Sequence, residues 1–90
     1  MRESTIEAYL RDEVRKIGGR AYKFVSPGNT GVPDRLVCFP GGRSVFVELK
    51  APGKKLTPLQ ERQHEVLKKL GFPVWVIDSK LGVDDFIRVQ

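Results

Sequence analysis

Ninety residues make one domain with a small core and leave no room for a second. Sixteen Lys and Arg against eleven Asp and Glu give a net charge of +5, which suits a polyanionic partner without specifying one. The one cysteine, Cys38, excludes an internal disulfide and fits a reducing compartment. Met1-Arg2-Glu3-Ser4 begins no signal peptide, and no apolar run approaches the roughly 18 residues of a membrane span. A soluble, cytoplasmic protein with no membrane partner is expected.

Along the chain, Ile6, Tyr9, Leu10, Val14 and Ile17 recur at helical spacing and predict a helix over 4–17, ended by Gly18-Gly19. RAYKFV, 20–25, predicts a first strand, and SPGNTGVP, 26–33, a loop. Residues 34–39 and 44–49 are apolar, partly β-branched runs joined by Pro40-Gly41-Gly42-Arg43, which predicts a hairpin. APGKKLT is a basic loop. Pro58 opens a second helix to Leu70, with Thr57 as N-cap, Gly71 as terminator and an apolar stripe of Leu59, Val66, Leu67 and Leu70. FPVWVID, 72–78, is a strong strand, and LGVDDFIRV could add a short closing helix. The order α-β-β-β-α-β is a mixed α/β arrangement, a sheet flanked by helices, whose last strand runs parallel to its neighbour by a crossover. One domain spans 1–90.

The chemistry concentrates between Gly31 and Gly53, in GVPDRLVCFPGGRSVFVELKAPG. Asp34 follows Pro33 at the start of one strand; Glu48 and Lys50 lie two apart at the end of the next, so their side chains leave one face. Two carboxylates can hold a hard divalent cation such as Mg²⁺ or Mn²⁺. A lysine beside it can orient or deprotonate a water, or neutralise charge developing on a phosphate. The plain readings are an Asp that ends a turn, an edge-strand Glu facing solvent, and an ordinary surface Lys. Glu48 interrupts the apolar run VFVEL, where an unpartnered carboxylate is costly to bury. A metal site requires Asp34 opposite Glu48. Pairing Phe39 with Ser44 across a four-residue loop would set Asp34 opposite Leu49 instead, so an odd loop or a bulge is needed.

Pro33-Asp34 with Glu48-Leu49-Lys50 resembles the PD-(D/E)xK nuclease superfamily. GVPDRL, VELKAP and LTPLQ, in that order, resemble the VRR-NUC (virus-type replication-repair nuclease) family, and the resemblance runs from Glu3 to about Ile77. It implies a restriction-endonuclease-like core and a metal-dependent endonuclease. The metal ligands would be Asp34, Glu48 and the backbone carbonyl of Leu49, with Lys50 catalytic. It also implies a first-helix glutamate near the site. Glu7 fits that spacing and Glu3 is the alternative, although Ser4-Thr5-Ile6-Glu7 also reads as a capping box. Gln60 of TPLQ would sit nearby, able to bond a phosphate or the lysine.

The loop residues Ser26 and Asn29, with Arg35, Lys54 and Lys55, are the candidate DNA contacts, and Lys23 and Arg43 would extend that basic rim. His64 is a lone histidine on a helix rim; without a second His or Cys there is no zinc site. Cys38 reads as a buried strand residue, and Trp75 as core or interface rather than a base-stacking platform. The expected function is a Mg²⁺- or Mn²⁺-dependent endonuclease on branched DNA. A homodimer cutting four-way junctions is preferred, because stand-alone members of the resembled family are thought to work that way. The alternatives are a DNA-binding module with a vestigial site and a non-catalytic assembly protein.

Overall fold

Ile6, Leu10 and Val14, spaced four apart, fold the N-terminal segment into α1 (Glu3–Lys16) and are fully buried by it. A computed structural model describes residues 1–90. Helix α1 starts at Glu3, with Arg2 at the N-cap making no side-chain cap bond, so the capping box over Ser4–Glu7 does not form. At the other end Gly18, at φ 85°, takes the left-handed turn, and the N–H groups of Gly18 and Gly19 bond to the carbonyls of Arg15 and Val14.

The elements that follow are β1 (Arg20–Lys23), β2 (Arg35–Phe39), β3 (Arg43–Leu49), α2 (Pro58–Lys69), β4 (Val74–Ile77) and α3 (Lys80–Arg88). The fold is the mixed α/β arrangement expected, and the closing helix is present. Four strands form one sheet in the order β1-β2-β3-β4. The first three are antiparallel, and β4 pairs parallel to β3, as the intervening helix requires. The first strand is shorter than the RAYKFV run, though the Phe24 N–H still bonds to the Asp34 carbonyl.

Strand alternation divides the sheet into two unlike faces. Val37, Phe39, Val45, Val47, Leu49 and Ile77 turn to one side and join Ile6, Leu10, Val14, Val83 and Phe86 in the only core cluster. Trp75 packs edge-on against Phe86 at 5.2 Å, on this covered side. The other side carries Leu36, Phe46 and Val76, with Phe46 packed edge-on between Phe24 and Phe72. Cys38 shares that side and is half-buried rather than core.

Helix α2 departs from expectation. Its apolar stripe does not enter the core: Leu59, Val66 and Leu70 are exposed, and the residue it buries is His64. The core-side places on the sheet are already filled by α1 and α3. The helix instead crosses the half-open face, and its ends are set by local chemistry. Thr57 Oγ1 accepts from the Gln60 N–H, and Gln60 Oε1 accepts from the Thr57 N–H, a reciprocal capping box followed by Pro58 at N1.

The loop before Asp34 is pressed against this first turn. Gly31 sits at φ 100°, and a Cβ there would lie 2.8 Å from the Leu59 carbonyl oxygen and 3.2 Å from the Gln60 nitrogen. Gly31→Ala should therefore cost at least about 2 kcal/mol in urea denaturation, combining left-handed strain with a backbone clash. Gly28→Ala, at φ 83° with open space around it, carries the strain alone and should cost about 1 kcal/mol. Equal losses in the two variants would show that the contact with α2 does not matter.

Candidate active site

The turn between β2 and β3 decides whether a site exists. Phe39 pairs with Arg43, leaving Pro40, Gly41 and Gly42 as a three-residue loop with φ near 88° and 79° at the glycines. The pairing of Arg35 with Val47 then continues to Asp34 opposite Glu48. The odd loop that the site required is the one that forms. Both carboxylates rise from the half-open face, and Lys50 follows Glu48 on the same side. Leu49 turns its side chain into the core, 1 % exposed.

Asp34 is fixed by its neighbours in the chain and across the sheet. Pro33 before it is buried, and its Oδ1 accepts the Leu49 N–H at 3.0 Å. Glu48 is 5 % exposed and contacts α2 with both oxygens. Gln60 Nε2 donates to Oε2 across a long 3.4 Å, and His64 Nε2 stands 3.7 Å from Oε1. The capping box settles which way the Gln60 amide points: its oxygen is held by the Thr57 N–H, so its NH₂ faces Glu48.

The electrostatics follow from this crowding. The Glu48 pKa is raised to about 7, chiefly by burial and then by the Asp34 charge, with Lys50 opposing both. Asp34 is also raised, again chiefly by burial. His64 is held below its usual range by burial, then by the charges of Lys68 and Lys50. Lys50 thus acts on Glu48 and His64 alike. Two adjacent carboxylates resisting ionisation, with Glu48 Oε1 lacking any partner, form a place that a cation would relieve. No group of three or more His, Cys, Asp or Glu gathers anywhere; the donors present are two carboxylates, oxygen ligands of the kind a hard cation takes together with waters.

The first-helix carboxylates divide differently from the preferred reading. Glu7 forms an ion pair with Arg35, a strand residue on the core side of the sheet, opposite to Asp34 and Glu48. The carboxylate of α1 whose charge reaches both Asp34 and Glu48 is that of Glu3. The position of Glu7 thus differs from the preferred one: it is paired to a residue that strand parity turns to the core side, whereas the charge of Glu3 reaches the Asp34–Glu48 pair.

Arg35 is a correction for the same reason. Expected among the DNA contacts, it is 7 % exposed and committed to Glu7. Lys54 and Lys55 are exposed in the loop after Lys50, as a basic rim requires. Ser26 and Asn29 hold each other, Asn29 Nδ2 donating to Ser26 Oγ at 2.9 Å. Arg43 lies over the Phe39 ring and bonds to the Gln90 side chain, at the end of the sheet away from the carboxylates. A cationic cluster not anticipated is a depression of about 370 Å³ lined by Arg11, Arg15 and Arg20. His64 was also missed as a site neighbour. The available signal was its spacing from Gln60, four residues on and so one turn below it on the same side of α2.

The sequence profile of the VRR-NUC domain matches residues 3–81. The chain belongs to the VRR-NUC family. It is 61% identical over 80 residues to the "Putative nuclease p44" of Acyrthosiphon pisum secondary endosymbiont phage 1, spanning 89% of this chain and 86% of that protein. A solved structure described as a VRR-NUC domain superposes with a TM-score of 0.89 at 36% identity, covering 96% of this chain and 94% of the other. The protein is thus a VRR-NUC nuclease domain.

The raised Glu48 pKa has a signed consequence for the metal-free protein. The stability tied to its protonated form is full below pH 4.5, the ordinary value, and is lost as pH rises to about 7. His64 acts in the opposite sense, its penalty appearing as pH falls below 6.5. Subtracting wild type from Glu48→Gln isolates the first effect. In EDTA, the stability advantage of the Gln variant should grow between pH 4.5 and 7 by on the order of 3 kcal/mol and then level off. A difference independent of pH would mean that Glu48 is ionised throughout.

Proposed function

We propose that this VRR-NUC domain is a divalent-metal-dependent endodeoxyribonuclease. The observation that carries the reading is that the β2–β3 register, continued by one residue, sets Asp34 opposite Glu48, with Lys50 on the same face and no cation paired to either carboxylate. Asp34, Glu48 and the Leu49 carbonyl would hold Mg²⁺ or Mn²⁺. The bound ion would supply a Lewis acid that draws charge from a phosphoryl oxygen.

The protein's own groups account for the rest. Lys50 places an ammonium beside the reacting phosphate, to offset the negative charge that grows there as water adds to phosphorus. It also orients that water. Hydrolysis adds water across one P–O bond, leaving a phosphate on one product and a hydroxyl on the other. Gln60 keeps Glu48 oriented and retains donor capacity for a phosphate oxygen. Glu3 becomes the helix carboxylate at the site, and Glu7 keeps Arg35 satisfied in the interior. Substrate affinity would come from sequence-independent phosphate contacts. Lys54 and Lys55 lie in the loop after Lys50, and Arg11 and Arg15 of α1 with Arg20 of β1 form a separate cluster, all within a net charge of +5.

The oligomeric reading rests on exposed apolar surface. Val66 and the C-cap Leu70 share one side of α2, Phe72 follows in the turn and Val76 lies on the edge strand β4; each is between 44% and 68% exposed. The apolar residues of α1 and the Trp75 ring are already used inside, which favours the α2–β4 region over the first helix as the contact. A self-complementary pairing there would give two sites related by a two-fold axis, suited to a four-way junction.

Cleavage of plasmid or junction DNA should stop in EDTA and return with Mg²⁺ or Mn²⁺. Asp34→Ala and Glu48→Ala should abolish it, and Lys50→Ala should lower the rate by about 10²-fold or more while metal still binds. Glu3→Gln should impair turnover, whereas Glu7→Gln should act mainly on stability. Wild-type rates in Asp34→Ala would remove the nuclease site from this position.

Sedimentation should show a species of twice 10.2 kDa that Leu70→Glu converts to monomer. The dimer should cut a four-way junction at symmetric positions in preference to plain duplex. A strict monomer, or preference for single flaps, would remove the junction reading and leave the general nuclease.

A further inference from the structure

In the whole protein, the buried side-chain nitrogen or oxygen atoms without a hydrogen-bond partner are Glu48 Oε1, His64 Nδ1 and His64 Nε2. They are not scattered. Nε2 faces Oε1 at 3.7 Å, and the two side chains are 2% and 6% exposed. Leaving a buried polar atom unpaired costs about 1–3 kcal/mol, so two on one side of a contact and one on the other is an expensive arrangement for a small domain. The helix could have buried Leu59, Val66 or Leu70 at the sheet; it buries an imidazole instead.

We propose that His64 is a positioning residue for Glu48. In the working site its Nε2–H donates to Oε1 and fixes the plane of the carboxylate for the divalent cation. The inference rests on the metal reading of Asp34 and Glu48. A separation of 3.7 Å is a few tenths of an ångström beyond a hydrogen bond. It is also too short for a bridging water, which would hold the two atoms farther apart. A small rotation of the carboxylate closes it. Gln60, one turn earlier, already reaches Oε2 at 3.4 Å with an amide whose direction the capping box has set. Helix α2 thus offers one donor to each oxygen, at positions four apart. The carboxylate cannot spin, and its remaining lone pairs stay available for the ion. Nδ1, left unprotonated, is an acceptor, which is less costly to bury unpaired than an N–H.

The test is Mn²⁺ binding by calorimetry, with unfolding in EDTA measured alongside. His64→Phe fills the space without a donor. It should bind Mn²⁺ about tenfold or more weakly, while its metal-free stability equals or exceeds wild type, because an unpaired polar group has gone. A purely structural histidine would lose stability and leave affinity alone. His64→Gln can set an N–H where Nε2 lies and should restore affinity to within about threefold of wild type; His64→Asn is too short and should resemble Phe. This polar pair decides the matter if the Phe variant does not fold. Wild-type affinity in Phe and Asn, or equal weakening in Gln and Asn, would overturn the role of His64 and leave the metal site standing. Absence of Mn²⁺ binding by wild type would overturn both.

Discussion

Everything specific to this domain depends on the alternation of side chains along β3. Seven residues serve two purposes at once: Val45, Val47 and Leu49 close the core, while Phe46 and Glu48 look the other way. A strand cannot shift by one residue without exchanging these sets. The core therefore acts as the clamp that holds the site. With two valines and a leucine anchored beneath α1 and α3, Glu48 has no freedom to leave its position beside Asp34. Two like charges that would repel each other into solvent are kept together by apolar burial on the reverse side of the same strand. The raised carboxylate pKa values are the electrostatic record of that constraint.

Helix α2 adds a second layer of control through its first two turns. A capping box usually satisfies orphan N–H groups and nothing more. Here it also orients an amide. Because the Gln60 oxygen is taken by the Thr57 backbone, its nitrogen can only face the sheet, where Glu48 stands. The loop carrying Gly31, Pro33 and Asp34 leans on that same turn, with Gly31 against the Leu59 carbonyl. The GVPD segment, the TPLQ segment and Glu48 are thus one mechanical unit, although about thirty residues separate its ends.

The stability of the chain is unevenly distributed. Eleven apolar residues form the core between one sheet face and two helices. The opposite face keeps an aromatic row, Phe24, Phe46 and Phe72, and a helix that contributes little apolar burial. A domain of this size has few reserves, and exposed apolar groups around α2 and β4 are where further burial is available. No helix is long and apolar enough to cross a membrane.

Read alone, the sequence determined the element order, the parallel last strand, the Thr57 cap and the carboxylate pair with its lysine. Each of these is written in local terms: periodicity, turn residues, a cap, or a spacing of two on a strand. It even set the condition that the hairpin loop be odd, since pairing parity is a property of strands in general. Other features needed the assembled sheet. Glu7 and Glu3 are one helical turn apart, and only the placement of α1 over Arg35 decided which meets the interior cation and which reaches the carboxylates. Arg35 looked like any exposed cation until strand parity buried it. The stripe of α2 looked like core until α1 and α3 had taken that side of the sheet. His64 carried no motif at all. Its contact with Glu48 joins residues 16 apart, and long-range contacts of that kind arise from how helices lie on a sheet rather than from any local pattern.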